Sequence, residues 1–230
     1  MSSAIQILWK QALKTFGGRR SVGYKLCQKN FDNLWSLINK ITAEDVKLDK
    51  QILDFVKVQS APMCVIGVFE NKDITIAIFI LKNGVTMPMH DHPGMHGFLK
   101  VISGTVEINS YTLKTSGDHI VNINEEIKAL RHQTVTLHKN SPACVLTPWD
   151  KNLHEISCIE GPAAFLDILS PPYDVDDSGK GPRPCTFFRT VDSKPCSDSG
   201  DIIEEVQLIA IENPPGFYSH NLKYTGPPLM

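Results

Sequence analysis

The sequence lacks several features that would place it in a specialised class of protein. No apolar run approaches the roughly 18 consecutive residues of a membrane-spanning helix. No long basic run accompanies the net charge of −2, so nucleic acid is a poor partner. The first 20 residues contain no hydrophobic segment with a small-residue cleavage site, so we expect no secretory signal. We therefore expect a chain that works away from membranes and nucleic acids.

The cysteines also lack a recognisable pattern. None of them forms a C-x-x-C pair, which argues against a structural zinc site of the usual spacing. Without a secretory signal, reduced thiols are the expected state. The six cysteines are Cys27, Cys64, Cys144, Cys158, Cys185 and Cys196.

Acidic residues are missing from residues 1–31, which hold six lysines and arginines. This composition resembles a mitochondrial transit peptide. Apolar residues at helical spacing from Ile5 to Phe16, ended by Gly17-Gly18, favour instead a surface helix with a basic outer face that packs on a core. We expect a cytoplasmic protein, and mitochondrial import and a nuclear location stay open as alternatives.

From about residue 60 onward the sequence is a series of short β-branched runs separated by turn signals, which predicts a β-sandwich or barrel. Before it, a second helix is predicted from Phe31 to Ile41 with Asn30 as its cap. Residues 171–200, rich in Pro, Asp, Ser and Gly, predict long loops, and residues 201–212 predict one more strand. The predicted strands in between are CVIGVFE, ITIAIFIL, GFLKVI, TVEINSYTL, HIVNI, TVTLH, CVLTP, HEISCI and AAFLDIL, with Ser103-Gly104 and Gly161-Pro162 among the predicted turns.

The segment MPMHDHPGMHG, residues 87–97, holds three histidines. In an extended strand His90 and His92 point to the same side, with side chains about 6.5–7 Å apart, while Asp91 points away. Two imidazoles at that separation can tilt onto one metal ion at about 2.1 Å each. The H-x-H spacing alone is a weak signal, so its surroundings decide how it is interpreted.

The surroundings of this pair resemble the first cupin motif, G-x5-H-x-H-x3–4-E-x6-G. The glutamate of that motif falls at His96 or Gly97, so the usual carboxylate ligand is missing. The second cupin motif supplies one histidine from a later strand, and TPWDKNLHEISCI offers His154, 62 residues after His92. The residues in register with the first motif are Gly84, His90, His92 and Gly104.

A site of three neutral imidazoles leaves the full double charge on a divalent metal ion. Such an ion favours an anionic ligand, and a thiol, whose free pKa is about 8.5, is deprotonated on coordination. The residues thus indicate a three-histidine metal site compatible with thiol chemistry. Another metal-dependent cupin enzyme, such as an isomerase or a different dioxygenase, and a non-catalytic cupin that binds metal or ligand remain alternatives.

Three longer segments are similar to the cysteamine dioxygenase and plant cysteine oxidase family: PMHDHPGMHGFLKVISGTV, LTPWDKNLHEI and EGPAAFLDILSPPYD. The resemblance covers most of the chain. It implies an all-β cupin fold, a double-stranded β-helix barrel with short N-terminal helices. It also implies Fe(II) held by His90, His92 and His154.

The same resemblance implies a reaction in which a thiol and O2 give a sulfinic acid. The substrates would be cysteamine, proteins with an N-terminal cysteine, or both, and oxidised N-terminal cysteine would feed an arginylation-dependent degradation route that senses oxygen. We expect a single domain over residues 1–230, monomeric, with residues 1–45 as a helical segment packed on the barrel and residues 171–200 as loops near the site.

Two further residues are candidates for the catalytic site. Asp167 interrupts the apolar run FLDIL, and a buried carboxylate needs a partner. It either makes a structural hydrogen bond or, as the family resemblance suggests, orients a ligand or the substrate amine. Tyr173, in SPPYD, either reaches the mouth of the site or simply packs. His96 is a candidate neighbour of the metal ligands, and less so a fourth ligand.

We expect no role in the site for several other polar residues. The family's animal branch usually has a cysteine followed two residues later by a tyrosine to which it could cross-link, but here Cys185 is followed by Phe187, which excludes a cross-link at that pair. The remaining histidines lack convergent spacing, and the aspartates after Tyr173 are expected in a solvated loop. These residues are His119, His132, His138, His220, Asp174, Asp176 and Asp177.

Overall fold

The structure is a computed structural model, and it describes residues 2–19, 21, 23–114, 121–173, 183–191 and 204–229. Within these ranges, three helices precede a single sheet of eleven strands. The helices are α1 (Ala4–Phe16), α2 (Gln28–Ile38) and α3 (Lys50–Val58), with one 3-10 turn at Glu44–Val46. The strands are β1 (Met63–Glu70), β2 (Thr75–Leu81), β3 (Thr86–Asp91), β4 (His96–Leu113), β5 (Glu126–Arg131), β6 (Val135–His138), β7 (Cys144–Leu146), β8 (Leu153–Ser170), β9 (Phe187–Thr190), β10 (Glu204–Ile211) and β11 (Ser219–Leu222).

The first helix packs on the sheet, as its apolar spacing predicts. Ser3 caps it, because the Ser3 hydroxyl accepts the backbone N–H of Gln6 while the Gln6 side chain accepts the N–H of Ser3. Its apolar face, including the fully buried Leu8 and Phe16, belongs to one core cluster with the isoleucines of β2. The basic N-terminal segment is therefore part of the folded domain.

The second helix differs from the prediction at both ends. It begins at Gln28 after Cys27, and Asn30 is not its cap but lies inside its first turn. The carbonyl of Asn30 accepts hydrogen bonds from the side chains of Gln11 and Thr15 of α1. This contact with α1 exists only in the folded protein, so the local sequence could not indicate it. Helix α3 was not predicted.

The strands close into a barrel. Following hydrogen-bonded neighbours, the order β8–β3–β9–β10–β5–β4 returns to β8, because β4 and β8 pair with each other along almost their entire lengths. Strands β2, β1 and β11 extend the sheet from the second half of β8, where the helices cover it. The expected double-stranded β-helix barrel is confirmed.

Two predicted turns are bends within long strands instead. Ser103-Gly104 lies inside β4 and Gly161-Pro162 inside β8, so GFLKVI and TVEINSYTL form one strand, as do HEISCI and AAFLDIL. The β4–β8 register shifts at three points between Val101 and Val106. Gly104 has a φ of +68°, and a Cβ there would lie 2.5 Å from the carbonyl oxygen of Glu160. The bend therefore needs glycine, although it does not reverse the chain.

Some strand predictions fail locally. The described part of HIVNI, residues 121–123, is not a strand, and β5 follows it instead. Residues 171–200 were expected to be loops, but Phe187–Thr190 forms β9 between β3 and β10. The predicted strand at residues 201–212 is confirmed as β10 over its described part. No described helix is long and apolar enough to cross a bilayer.

Several sequence-based interpretations concern residues that the structure does not describe. Most of the predicted loop region 171–200 is among them. The structure shows free thiols at Cys27, Cys64, Cys144 and Cys158. The residues named above that lie outside the described part are His119, Asp174, Asp176, Asp177 and Cys196.

Candidate metal centre

Three histidines meet inside the barrel. His90 lies near the end of β3 and pairs directly with His154 on β8. His92 follows β3, and its backbone N–H donates to the carbonyl of Asn152, 2.7 Å away, just before β8. One ligand nitrogen from each of the three histidines lies within 4.8 Å of the others, and all three side chains are buried. The antiparallel pairing of β3 with β8 thus brings together residues far apart in the sequence.

The surroundings of His90 and His92 leave one ring nitrogen of each directed at the centre. Nδ1 of His90 lies 2.8 Å from the carbonyl oxygen of Pro88, which only accepts, so Nδ1 carries the proton. Nδ1 of His92 lies 2.9 Å from the phenol oxygen of Tyr173. The Tyr173 hydroxyl donates to the carbonyl of Asp91. The Tyr173 oxygen is then left to accept the Nδ1 proton of His92, and Nε2 of both rings is available as a ligand.

Burial keeps these imidazoles neutral, because it lowers the pKa of His90, His92 and His154. Nε2 of His92 and Nε2 of His154 are only 3.1 Å apart. Two ligands on a metal ion at about 2.1 Å each lie close to this separation when they are roughly at right angles. The donor set therefore fits a metal ion, and imidazole suits iron, zinc, copper and nickel.

A cavity of about 350 Å³ opens beside the three histidines. Among the described residues, Asp167 is the only acidic side chain in its wall. Burial raises the pKa of Asp167 to about 7. The apolar wall of this cavity consists of Met63, Phe79, Met87, Ile156, Phe165, Leu169, Phe187 and Phe217.

A second cavity of about 410 Å³ shares His154 and Asp167 with the first. It is more polar, and Gly97 lies in its wall. Gly97 is one of the two positions at which the cupin motif would carry glutamate, and a Cβ there would lie 2.8 Å from Cγ of Leu146 and 2.9 Å from Cδ2 of Leu169. The described cluster has no carboxylate ligand, and a side chain at Gly97 would have to displace the side chains of Leu146 and Leu169.

Of the other candidate residues, Tyr173 contacts a histidine of the cluster and His96 lies outside it. Tyr173 contacts His92 rather than lying only at the mouth, and it is also hydrogen-bonded to Cys185. Burial is the main reason why the pKa of Tyr173 is raised well above its ordinary value, so the phenol keeps its proton. His96 is not in the cluster but packs against Phe16 and Phe31. As expected, the cluster also excludes His132, His138 and His220.

Sequence reasoning missed Asp91. Its carbonyl accepts the Tyr173 hydroxyl, and its side chain accepts the backbone N–H of Thr186, 2.8 Å away. Asp91 therefore links the histidine strand to Tyr173 and to the segment before β9. The only hint in the sequence is the alternation of the strand, which turns Asp91 away from the histidines.

Comparison with known proteins identifies the family. The PCO_ADO family model matches residues 37–229. The 2-aminoethanethiol dioxygenase of Mus musculus is 33% identical over an alignment of 257 residues, which covers 100% of this chain and 98% of that protein. The chain belongs to the 2-aminoethanethiol dioxygenase and plant cysteine oxidase family. The expected resemblance is confirmed, and with it the classification as a thiol dioxygenase.

Other proteins are also similar to this thiol dioxygenase family member. The 2-aminoethanethiol dioxygenase of Homo sapiens is 31% identical, covering 99% of this chain and 97% of that protein. Plant cysteine oxidase 1 of Arabidopsis thaliana is 32% identical over 130 residues, 56% of this chain and 42% of that protein. Among solved structures, KdgF from Halomonas sp. aligns with a TM-score of 0.35 and 16% identity, covering 49% of this chain and 82% of that chain.

Proposed function

We propose that this protein is a ferrous dioxygenase that adds both atoms of O2 to the thiol of an aminothiol. The observation that carries the proposal is the meeting of three neutral imidazoles, joined by no carboxylate from the described residues, beside a cavity that contains Asp167. The dioxygenases among the relatives and the preference of imidazole for metals that include iron support Fe(II) as the ion.

The substrate unit we propose is an amine and a thiol on adjacent carbons. Relatives are named for 2-aminoethanethiol and for cysteine, which share this unit. A protein that begins with cysteine carries it as well. The cavity of about 350 Å³ is much larger than cysteamine and has mostly apolar walls, so it offers space for the residues that follow an N-terminal cysteine.

The overall reaction is balanced as R–SH + O2 → R–SO2H. Both oxygen atoms bond to sulfur, which is oxidised, while O2 is reduced. A ferrous ion held by the three imidazoles would supply the Lewis acidity that ionises a thiol and the redox chemistry that activates O2. The buried, uncharged imidazoles add no negative charge of their own to the centre.

The protein's own groups position the substrate. The Asp167 carboxyl lines the cavity beside His154, and an ammonium group next to it would favour its ionised form. We assign Asp167 the role of holding the substrate amine, so that the thiol faces the three histidines. Tyr173 holds His92 in the orientation that directs Nε2 inward. The apolar residues of the wall exclude water from the reacting thiol.

The setting we propose is the cytosol, with the protein acting as a monomer. The free thiols of Cys27, Cys64, Cys144 and Cys158 agree with a reducing compartment. If proteins with N-terminal cysteine are the substrates, their oxidation would follow the O2 concentration. Such a protein would then act as an oxygen sensor at the start of an arginylation-dependent degradation route.

The experiment is mass spectrometry of a peptide with N-terminal cysteine, incubated in air with iron-loaded protein. The expected product has gained two oxygen atoms. A peptide with serine in place of the first cysteine is the substrate control, and cysteamine is tested in parallel. We expect His154→Ala to abolish the gain and His132→Ala, which alters a histidine outside the cluster, to keep it. If neither thiol gains oxygen with iron-loaded protein, the proposal is wrong.

A further inference from the structure

Arg19, just after α1, reaches two segments of the barrel at once. Its Nη2 donates to the carbonyl of Gly94 at 2.7 Å, and its Nη1 donates to the carbonyl of Ser170 at 3.0 Å. Nη1 also lies 3.2 Å from Nδ1 of His96. Arg19 is half-buried, and it connects the N-terminal segment to residues more than seventy positions away.

The two carbonyls that Arg19 binds belong to the segments that carry His92 and Tyr173. Gly94 is two residues after His92, in the turn between β3 and β4. Ser170 ends β8, three residues before Tyr173. The same two segments are joined by the hydrogen bond between Tyr173 and His92. Arg19 and the Tyr173–His92 bond are therefore two connections between the same pair of segments.

The imidazole of His96, which Arg19 contacts, is held in place by two helices. His96 packs against Phe16 of α1 and Phe31 of α2, with ring centroids 6.0 Å away in both cases. Burial, with a smaller contribution from Arg19, lowers the pKa of His96 to about 4. His96 is then neutral and its Nδ1 can accept from the guanidinium. The helices thus hold the imidazole that helps to orient Arg19.

We propose that Arg19 is a positioning residue of the metal centre, which holds the Gly94 and Ser170 segments at the separation that the Tyr173–His92 hydrogen bond requires. The inference rests on the proposed role of the three histidines as metal ligands. Arg19 lies before residues 37–229, the part that the family model matches. The N-terminal segment is accordingly a functional part of the centre and not only a cover for the sheet.

The chemistry of the side chain makes arginine specific at this position. Its planar guanidinium presents several N–H groups in a fixed fork, so it can serve two carbonyls and one imidazole together. A lysine ammonium is a single point on a flexible stem and cannot reproduce that fork. We therefore expect Arg19→Lys to restore only part of what Arg19→Ala loses.

The test is a titration of metal-free protein with Co(II), followed by its absorption bands, which report both affinity and ligand geometry. Loss of an outer contact to a metal centre typically weakens metal binding by about 10- to 100-fold. We expect Arg19→Ala to weaken Co(II) binding by about tenfold and to alter the bands. Lys14→Ala, an exposed basic residue of α1, is the control and should bind Co(II) as the unaltered protein does.

Two further measurements separate positioning from simple stabilisation of α1. Guanidinium ion at non-denaturing concentration should restore Co(II) affinity in Arg19→Ala, compared with KCl at equal ionic strength. In the Tyr173→Phe background, Arg19→Ala should cost less than it does alone, because both residues act on the same pair of segments. A lower melting temperature of the metal-free variant with unchanged Co(II) affinity overturns the inference.

A failure of this inference can be told apart from a failure of the proposed function, because the Co(II) titration needs neither thiol nor O2. Failure of the unaltered protein to bind Co(II) would contradict the metal site itself. Normal Co(II) binding by Arg19→Ala would contradict only the role of Arg19. Should Arg19→Ala fail to fold, Arg19→Lys gives the same comparison, and full Co(II) affinity in that variant would overturn the inference.

Discussion

The phenol oxygen of Tyr173 lies 2.9 Å from Nδ1 of His92, although 81 positions separate the two residues. The Tyr173 hydroxyl donates its hydrogen bond to the carbonyl of Asp91, so the phenol oxygen accepts a hydrogen bond from the His92 imidazole. This contact decides which nitrogen of His92 faces the other two histidines. A tyrosine thus determines the tautomer of a proposed metal ligand.

Replacing Tyr173 by phenylalanine should weaken metal binding while the barrel stays folded. The change leaves Nδ1 of His92 and the carbonyl of Asp91 without their partner, and it frees the ring of His92 to rotate. We expect about 10- to 100-fold weaker iron or Co(II) binding, measured by equilibrium titration. Tyr218→Phe, which alters an exposed tyrosine, is the matched control. Equal affinity in the two variants would show that Tyr173 only packs.

Asp167→Asn should slow turnover more than it lowers iron content. The amide has nearly the same shape as the carboxyl but cannot provide the negative charge that holds a substrate ammonium. We expect a higher KM for an aminothiol and a lower kcat/KM, with iron per chain close to that of the unaltered protein. Steady-state kinetics and metal analysis of the same samples check this. A parallel fall of activity and iron content would argue against a role on the substrate side.

The stability of the metal-free protein should depend on pH through Asp167. Burial raises its pKa from 3.8 to about 7, so between these values the folded protein binds a proton that the unfolded chain releases. The stability that this shift contributes is therefore fully present below the lower value and is lost as pH rises to about 7. Asp167→Asn removes this loss. Asp91, whose pKa is also raised to about 7, contributes to both proteins equally.

Melting temperatures of the two metal-free proteins across this pH range measure the effect. The variant should gain stability relative to the unaltered protein as pH rises, by on the order of a few kcal/mol, and the gap should become constant above about pH 7. A gap that does not change with pH would mean that Asp167 ionises at its ordinary pKa in the folded state.

Gly97→Ala should destabilise the fold, although alanine is usually better than glycine in a strand. The added Cβ would lie 2.8 Å from Leu146 Cγ and 2.9 Å from Leu169 Cδ2, and such overpacking costs about 1–3 kcal/mol. Gly67→Ala is the control, because no atom lies within 4 Å of a Cβ at that position of β1. Urea unfolding measures the free energy of unfolding of the Gly97→Ala and Gly67→Ala variants. Equal stabilities would show that Leu146 and Leu169 can move to accept a Cβ at this position.

Much of the site could be predicted from local sequence. The spacing of His90 and His92 on one strand already places two imidazoles on the same side, since strand geometry alternates side chains. The apolar spacing of α1 predicted both a helix and the face that is buried. The choice of His154 depended on the motif that it resembles, because no local rule joins it to His92.

Other features could be known only from the folded chain. Ser103-Gly104 and Gly161-Pro162 have the composition of turns, yet β4 and β8 run through them, because the two strands pair on both sides of their bends. Similarly, Asn30 has the composition of a helix cap, but its carbonyl serves α1. Local composition limits a segment to a few conformations, and its contacts with a distant segment decide which of these conformations it adopts.

By itself, the sequence determined the strand-rich fold, the helix at the front and the pairing of His90 with His92 on one side of a strand, because these follow from spacing within short segments. The choice of His154 as the third histidine came from the motif resemblance. Only the tertiary structure decided that Tyr173 orients His92, that the backbone carbonyl of Asp91 accepts a hydrogen bond from the Tyr173 hydroxyl, and that Arg19 joins the turn after His92 to the end of β8. The physical reason is that hydrogen bonds between side chains and remote carbonyls act over about 3 Å in space and leave no period or spacing in the sequence.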